Sequence, residues 1–214
     1  MIACECPELH SGKRIVLTGG PGAGKSAVLE IVRQYFCEHL HVLPEAASLL
    51  FAGGFPRGNA LHQRQATQRA IFYVQRELEA TSEVEEGVAI ILCDRGTIDG
   101  SAYWPGPGDL WPAIHTKRAD ELVRYAAVIH LRTPAAHQGY NHDNPMRTEC
   151  AADAATIDER IVQAWAGHPR RFFIESTPDF FEKAHRAIEV LKAELPECCR
   201  RHVVPETVSR SISR

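Results

Sequence analysis

The run Gly19-Gly20-Pro21-Gly22-Ala23-Gly24-Lys25-Ser26 constrains the fold of this chain more than any other stretch. It fits the pattern G-x-x-x-x-G-K-[ST], and its flanks complete the context that pattern requires. Arg14-Ile15-Val16-Leu17-Thr18 reads as a short buried strand, and Ala27-Val28-Leu29-Glu30-Ile31-Val32 opens an amphipathic helix. Glycines let successive backbone N–H groups turn inward around a polyphosphate, and the helix N-terminus adds partial positive charge. The order strand, glycine loop, helix therefore predicts a nucleotide phosphate site built from Gly19, Gly20, Pro21, Gly22, Ala23, Gly24, Lys25, Ser26 and Ala27. In that site Lys25 reaches the β- and γ-phosphates and the Ser26 hydroxyl ligates Mg²⁺.

The 214 residues suffice for one α/β domain with its own core, and no low-complexity tract or linker divides them. The expected division is an N-terminal extension over 1–12, the domain over 13–195 and a C-terminal tail over 196–214. A net charge of −3 gives no basis for a nucleic-acid or membrane partner, so phosphate binding is a local property. The N-terminus lacks a positive leader and an apolar core, and no later apolar run spans a bilayer, which predicts a cytoplasmic protein. Seven cysteines, an odd number without C-x-x-C spacing, suit free thiols in a reducing compartment better than a disulfide framework. Cys4, Cys6 and His10 offer a small metal site, and Cys198-Cys199 lie side by side near the other terminus. No four-ligand spacing is visible, so free thiols are the favoured reading. His137 and His142 read as loop residues.

Five short apolar runs alternate with helical stretches, the signature of a parallel sheet covered on both faces. The first is Arg14–Thr18; the second is His41-Val42-Leu43-Pro44, ending at Glu45. A long helix follows from Ala60 to Glu86, with Leu61, Ile71, Phe72 and Leu78 at helical spacing. Val88–Cys93 is the strongest buried strand and ends on Asp94; Ala126–Leu131 ends at Arg132; Arg171–Ile174 ends at Glu175. A closing helix covers about Asp179 to Leu195, and the tail from Arg200 to Arg214 has no periodicity. Ligands of open parallel sheets bind at the carboxyl ends of the strands. Thr18–Ser26, Glu45, Asp94-Arg95, Arg132 and Glu175-Ser176-Thr177 are thus expected around one crevice.

Asp94 stands where the acidic partner of a phosphate loop holds Mg²⁺, directly or through water; the plainer role is a turn or helix cap. Arg95 is placed to pair with Glu45 or to grip an oxygen of substrate or phosphate. Glu45 fits two roles equally: a negative charge in the first turn of a helix, or the acceptor of a proton from a substrate hydroxyl. Gln68 shares the inward helix face, where its partner is a substrate edge or a backbone carbonyl. Arg57, in the Gly53–Gly58 loop, meets either an anionic group or solvent. The polar stretch Thr133–Arg147 reads as a lid that carries Arg147 to the transferring phosphoryl group, or as a plain loop.

Taken together, several segments resemble the AAA-type ATPase/NadR-like kinase domain family over about Lys13 to Ala193. They are the glycine loop, Val42-Leu43-Pro44-Glu45-Ala46-Ala47, Asp94-Arg95-Gly96 with Asp99-Gly100 and Ala102-Tyr103, His130-Leu131-Arg132, Tyr140/Asn144-Pro145/Arg147, and Trp165 with His168-Pro169. A more distant likeness links the chain to deoxynucleoside and ribosylnicotinamide kinases. The resemblance implies a P-loop NTPase α/β/α fold with a five-stranded parallel sheet and a kinase-like lid. It also implies binding of Mg-ATP or Mg-GTP and phosphoryl transfer to a small hydroxyl-bearing, nucleoside-like substrate. By likeness Glu45 matches the base of deoxynucleoside kinases, and Asp94-Arg95 their acid-Arg pair. Those kinases carry Arg-Ser where this chain has Arg95-Gly96.

Two functions of different class follow. One is a small-molecule kinase; the other is a nucleotide-binding regulatory module with slow or no hydrolysis. A GTPase-type guanine site is disfavoured, because Thr116-Lys117-Arg118-Ala119-Asp120 is one residue too long for N/T-K-x-D. A mechanical AAA+ motor is a third reading, disfavoured because the chain lacks the length for a helical lid domain.

Overall fold

The computed structural model describes Cys4, Cys6 and residues 10–83, 87–134 and 151–200. In chain order the elements are β1 (Lys13–Thr18), α1 (Lys25–Tyr35), β2 (Leu40–Leu43), α2 (Ala46–Ala52), α3 (Leu61–Glu83), β3 (Ile90–Asp94) and α4 (Asp99–Ala102). They continue with α5 (Leu110–Ala113), α6 (Arg118–Leu122), β4 (Ala127–Leu131), α7 (Ala151–Ala164), β5 (Arg171–Ile174), α8 (Phe180–Glu194) and α9 (Glu197–Arg200). The five strands form one sheet in the order β2-β3-β1-β4-β5, with every neighbouring pair parallel.

The continuous apolar runs of the sequence arise because each strand is buried on both faces. Ile15, Leu17, Ile90, Leu92 and Ile129 face α1 and α8, where Val28, Leu29, Ala187 and Leu191 complete one core. Val16, Ile91, Cys93 and Val128 point to the other face, against Ile98, Tyr125, Ile161 and Trp165. Successive residues of one strand therefore serve different cores, the period of two expected of a strand. Helix α8 starts where the sequence places it, because the Asp179 carboxylate accepts the Phe181 N–H at 2.8 Å as an N-cap.

The long helix departs from its expected pattern. Leu61 is exposed, and the buried side chains of α3 are Thr67, Phe72, Gln75, Glu79 and Ser82. Hydrophobic periodicity misses this face because its polar groups satisfy one another. Glu79, fully buried, accepts from Gln75 Nε2 at 2.9 Å and Tyr125 Oη at 2.8 Å, and is paired with Arg124. The expected lid, with Arg147, His137 and His142, lies outside the described residues apart from its first two positions, as does the tail beyond Arg200.

Candidate active site

Strand register places the site. Leu17 is level with Asp94 and Leu43 with Cys93, so the ends of β1, β2 and β3 share one rim. The glycine loop, Glu45 and Asp94-Arg95 meet there around a cleft of about 490 Å³. Gln68 and Arg57 line its outer wall, with Arg57 stacked 4.0 Å above the Phe51 ring.

Loop conformation demands glycine at two places. Gly24 caps α1 at φ +95°, and a side chain there would strike the Phe180 ring; Gly19 stands at φ +140°, where one would strike the Leu131 carbonyl. Lys25 folds back along the loop, donating to the Gly19 carbonyl at 2.9 Å and the Gly20 carbonyl at 3.3 Å. Burial, with Arg95 close by, pulls its pKa down to about 8 against the opposing pull of Asp94, Glu45 and Asp99. Ser26 and Ala27 are exposed at the start of α1.

Glu45 is the N-cap residue of α2, yet its side chain makes no cap bond to the helix backbone. Instead Oε1 accepts from Arg95 Nε at 2.6 Å, and Oε2 accepts from the Ser48 hydroxyl. Desolvation raises its pKa, but Arg95, Ser48 and Lys25 outweigh it and hold the group below the usual carboxylate range. Asp94 behaves in the opposite way: burial, with Glu45 and Asp99 nearby, pushes it up to about 6 despite Lys25 and Arg95. Its Oδ1 is buried without a hydrogen-bond partner among the described residues.

Arg95 has φ +70°, a left-handed conformation costing on the order of 1 kcal/mol or more for a residue with a side chain. That turn sends the guanidinium to Glu45, to Asp99 Oδ1 at 3.4 Å, and to within 5.4 Å of the Tyr103 ring centre. Burial works against its charge, but Tyr103, Glu45, Asp99 and Asp94 more than compensate and push its pKa upward.

Sequence reasoning named Asp99 only within the family likeness and gave it no role, yet it organises this corner. Asp99 is buried and accepts from the Thr18 hydroxyl, from Gly96 N at 2.9 Å, from Trp165 Nε1 at 3.2 Å and from Arg95. Its spacing of four from Arg95 was the available signal. Two further supports carry no local signal. Asp158 on α7 accepts from Gly20 N and from His130 Nε2, both at 2.9 Å, and pairs with Arg132 at 2.9 Å. Lys183 on α8, drawn down to about 8 by burial, donates to the Ala23 carbonyl at 2.9 Å and to the Arg132 carbonyl. The expected single crevice is correspondingly corrected. Arg132 is engaged by Asp158 and Glu159, Glu175 is exposed, and neither lines the cleft.

A glycine loop after the central strand of an all-parallel five-stranded sheet, with Asp94 ending the neighbouring strand β3 and Arg95 just after it, defines a P-loop α/β fold. Residues 14–183 match the family model for the AAA domain, and the chain belongs to that family. Among solved structures it is similar to the NadR protein in complex with NR, with TM-score 0.67 at 16% identity over 86% of this chain and 52% of that chain. It is also similar to deoxyadenosine kinase from M. mycoides with bound dATP, with TM-score 0.52 at 15% identity over 84% of this chain and 98% of that one. The chain thus spans about half the length of the NadR chain. No curated protein matches it. No helix among the described residues is long and apolar enough to cross a membrane.

Proposed function

We propose that this protein is a kinase that moves the γ-phosphoryl group of Mg-ATP or Mg-GTP to the hydroxyl of a nucleoside-like small molecule. The observation that carries the reading is Glu45. Its carboxylate lines the same cleft as Lys25 and the glycine loop, turned from its helix backbone toward Arg95. There it accepts the acceptor's proton while Arg95 holds its orientation. Lys25 and the loop N–H groups bind the phosphates, Gln68 and Arg57 meet the acceptor, and Arg147 belongs to the proposal as the lid cation. The solved neighbours are the NadR protein in complex with NR and deoxyadenosine kinase with bound dATP, which supports a nucleoside-like acceptor.

The residues present fit Mg²⁺. Asp94 Oδ1 is a buried oxygen with no hydrogen-bond partner among the described residues, and Ser26 offers an exposed hydroxyl on α1. When bound, the cation neutralises phosphate charge. Holding Mg²⁺ requires the Asp94 carboxylate, so Mg-nucleotide affinity should rise as pH rises through about 6 and then level. In the free protein the sign is opposite: the folded state binds more protons than the unfolded between about pH 4 and about 6, so this group's contribution to stability falls as pH rises there. Calorimetric titration of Mg-ATP from about pH 5 to about pH 7.5, in wild type and Asp94→Asn, separates this from the titration of ATP itself. Identical profiles in the two proteins would remove Asp94 from the metal site.

One observation favours a second reading, the regulatory module: Glu45 is held as a weak proton acceptor, which suits clamping Arg95 better than proton abstraction. Incubation with Mg-ATP or Mg-GTP and a pool of nucleosides, cofactor precursors and sugars, read by mass spectrometry, should reveal one acceptor gaining phosphate. Slow phosphate release with no phosphorylated product would favour the module instead.

A further inference from the structure

The fold gathers ligand-type side chains at the rim opposite the phosphate loop. Lys13, Leu40 and Ile90 are level at the start of β1, β2 and β3, and the turn just before Leu40 carries Cys37 and His39. Cys4 from the N-terminal segment and Cys199 from α9 converge on that turn. One ligand atom from each of Cys4, Cys37, His39 and Cys199 lies within 4.8 Å of all the others. His39 Nδ1 stands 3.2 Å from Cys199 Sγ. Cys37, His39 and Cys199 are buried, and Cys4 is half-buried.

Buried cysteines commonly pack as small apolar residues, and Cys37 and Cys199 do join the core beside α1 and α8. Apolar packing does not call for an imidazole among three thiols drawn from three distant segments. A tetrahedral zinc with bonds of about 2.0–2.3 Å sets its ligand atoms roughly 3.5–3.8 Å apart, close to what is already gathered here. The backbone is also fixed for the purpose. The Glu38 carboxylate accepts the Cys4 N–H at 3.1 Å, and the His39 carbonyl accepts Ala89 N at 2.8 Å and Ile90 N at 3.0 Å.

We propose that Cys4, Cys37, His39 and Cys199 form a structural Zn²⁺ site that ties the N-terminal segment and α9 to the start of β2. Binding releases the three thiol protons to solvent and leaves three thiolates and one neutral imidazole on the ion. All four positions are filled by protein, so the metal holds structure and has no place for substrate. Cys6, His10 and Cys198 form an adjoining trio, joined through the 3.6 Å contact of Cys198 with Cys199. It supplies three ligands where the first set supplies four, so Zn²⁺ takes the first.

The 214-residue chain, purified without added metal and then titrated with Zn²⁺, should hold one equivalent in the four-residue site by elemental analysis. Replacement by Co²⁺ should give the intense visible bands of a tetrahedral thiolate site. Cys199→Ser should lose this equivalent. Cys4→Ser, at a half-buried position that spares the core, should weaken Zn²⁺ binding by on the order of a hundredfold or more in a folded protein, whereas Cys6→Ser should leave it in place. A chelator should lower the melting temperature while Mg-nucleotide affinity in the refilled protein and in Cys4→Ser stays within about twofold of wild type. The proposal falls if Zn²⁺ is neither present nor taken up, if it persists unchanged in Cys4→Ser and Cys199→Ser, or if Cys6→Ser removes it instead. A Cys37–Cys199 disulfide in the isolated protein would also overturn it. None of these outcomes depends on finding a phosphoryl acceptor.

Discussion

Lys25→Ala is expected to weaken Mg-nucleotide binding by on the order of a hundredfold or more while leaving the chain folded, since charge-assisted bonds to phosphate are each worth about 1.5–3 kcal/mol and this ammonium serves several oxygens. Among the described residues its hydrogen bonds go to the Gly19 and Gly20 carbonyls of its own loop, so the change removes ligand contacts and not core packing. The stability sign points the same way. Because the folded-state pKa is drawn down to about 8, the cation is disfavoured in the folded chain at neutral pH. Wild type should therefore gain stability as pH rises from about 8 toward about 10.4, through the window where the unfolded chain binds more protons, and Lys25→Ala should lack that gain. Calorimetry for affinity and thermal melts across that range check both halves. Unchanged ATP and GTP affinity in a folded variant would refute the phosphate-loop assignment.

Glu45→Gln is expected to leave Mg-nucleotide affinity nearly intact and to cut acceptor phosphorylation by on the order of a hundredfold, the usual worth of a positioned proton acceptor. Glutamine keeps the size of the side chain and an oxygen for Arg95 Nε, so the geometry near 2.6 Å survives while the charge does not. Asp99 still holds Arg95 from the other side. Were Glu45 only a charge at the start of α2, the change would cost about 0.3–1 kcal/mol of stability and leave turnover alone. Initial rates and melts on one variant distinguish these outcomes once the acceptor is known. Equal rates in variant and wild type would transfer the lead to the regulatory-module reading.

The parts of the candidate site that were legible in the sequence are those whose chemistry is local. Gly19 to Ser26 sit between a strand and a helix, and Asp94 ends the most apolar run, so residue order alone places them at one sheet edge. Burial of strands on both faces made the alternating α/β pattern readable for the same reason.

What remained hidden depends on who meets whom. The polar buried face of α3 escaped because hydrophobic periodicity registers apolar residues only, and Glu79 is buried by virtue of Tyr125 and Arg124 far along the chain. The sequence left Glu45 between a charge at the start of α2 and a proton acceptor; that its carboxylate meets Arg95 and not the helix backbone follows from the register between β2 and β3, which sets the two residues beside each other. Asp158 reaches the Gly20 N–H across 138 positions, and Cys199 reaches His39 across 160. Spacing along the chain determined the phosphate loop, because a loop is made by neighbours in sequence. Only the parallel crossovers, which return distant segments to the same rim, could assemble the Asp99 corner on one edge of the sheet and the cysteine–histidine cluster on the other.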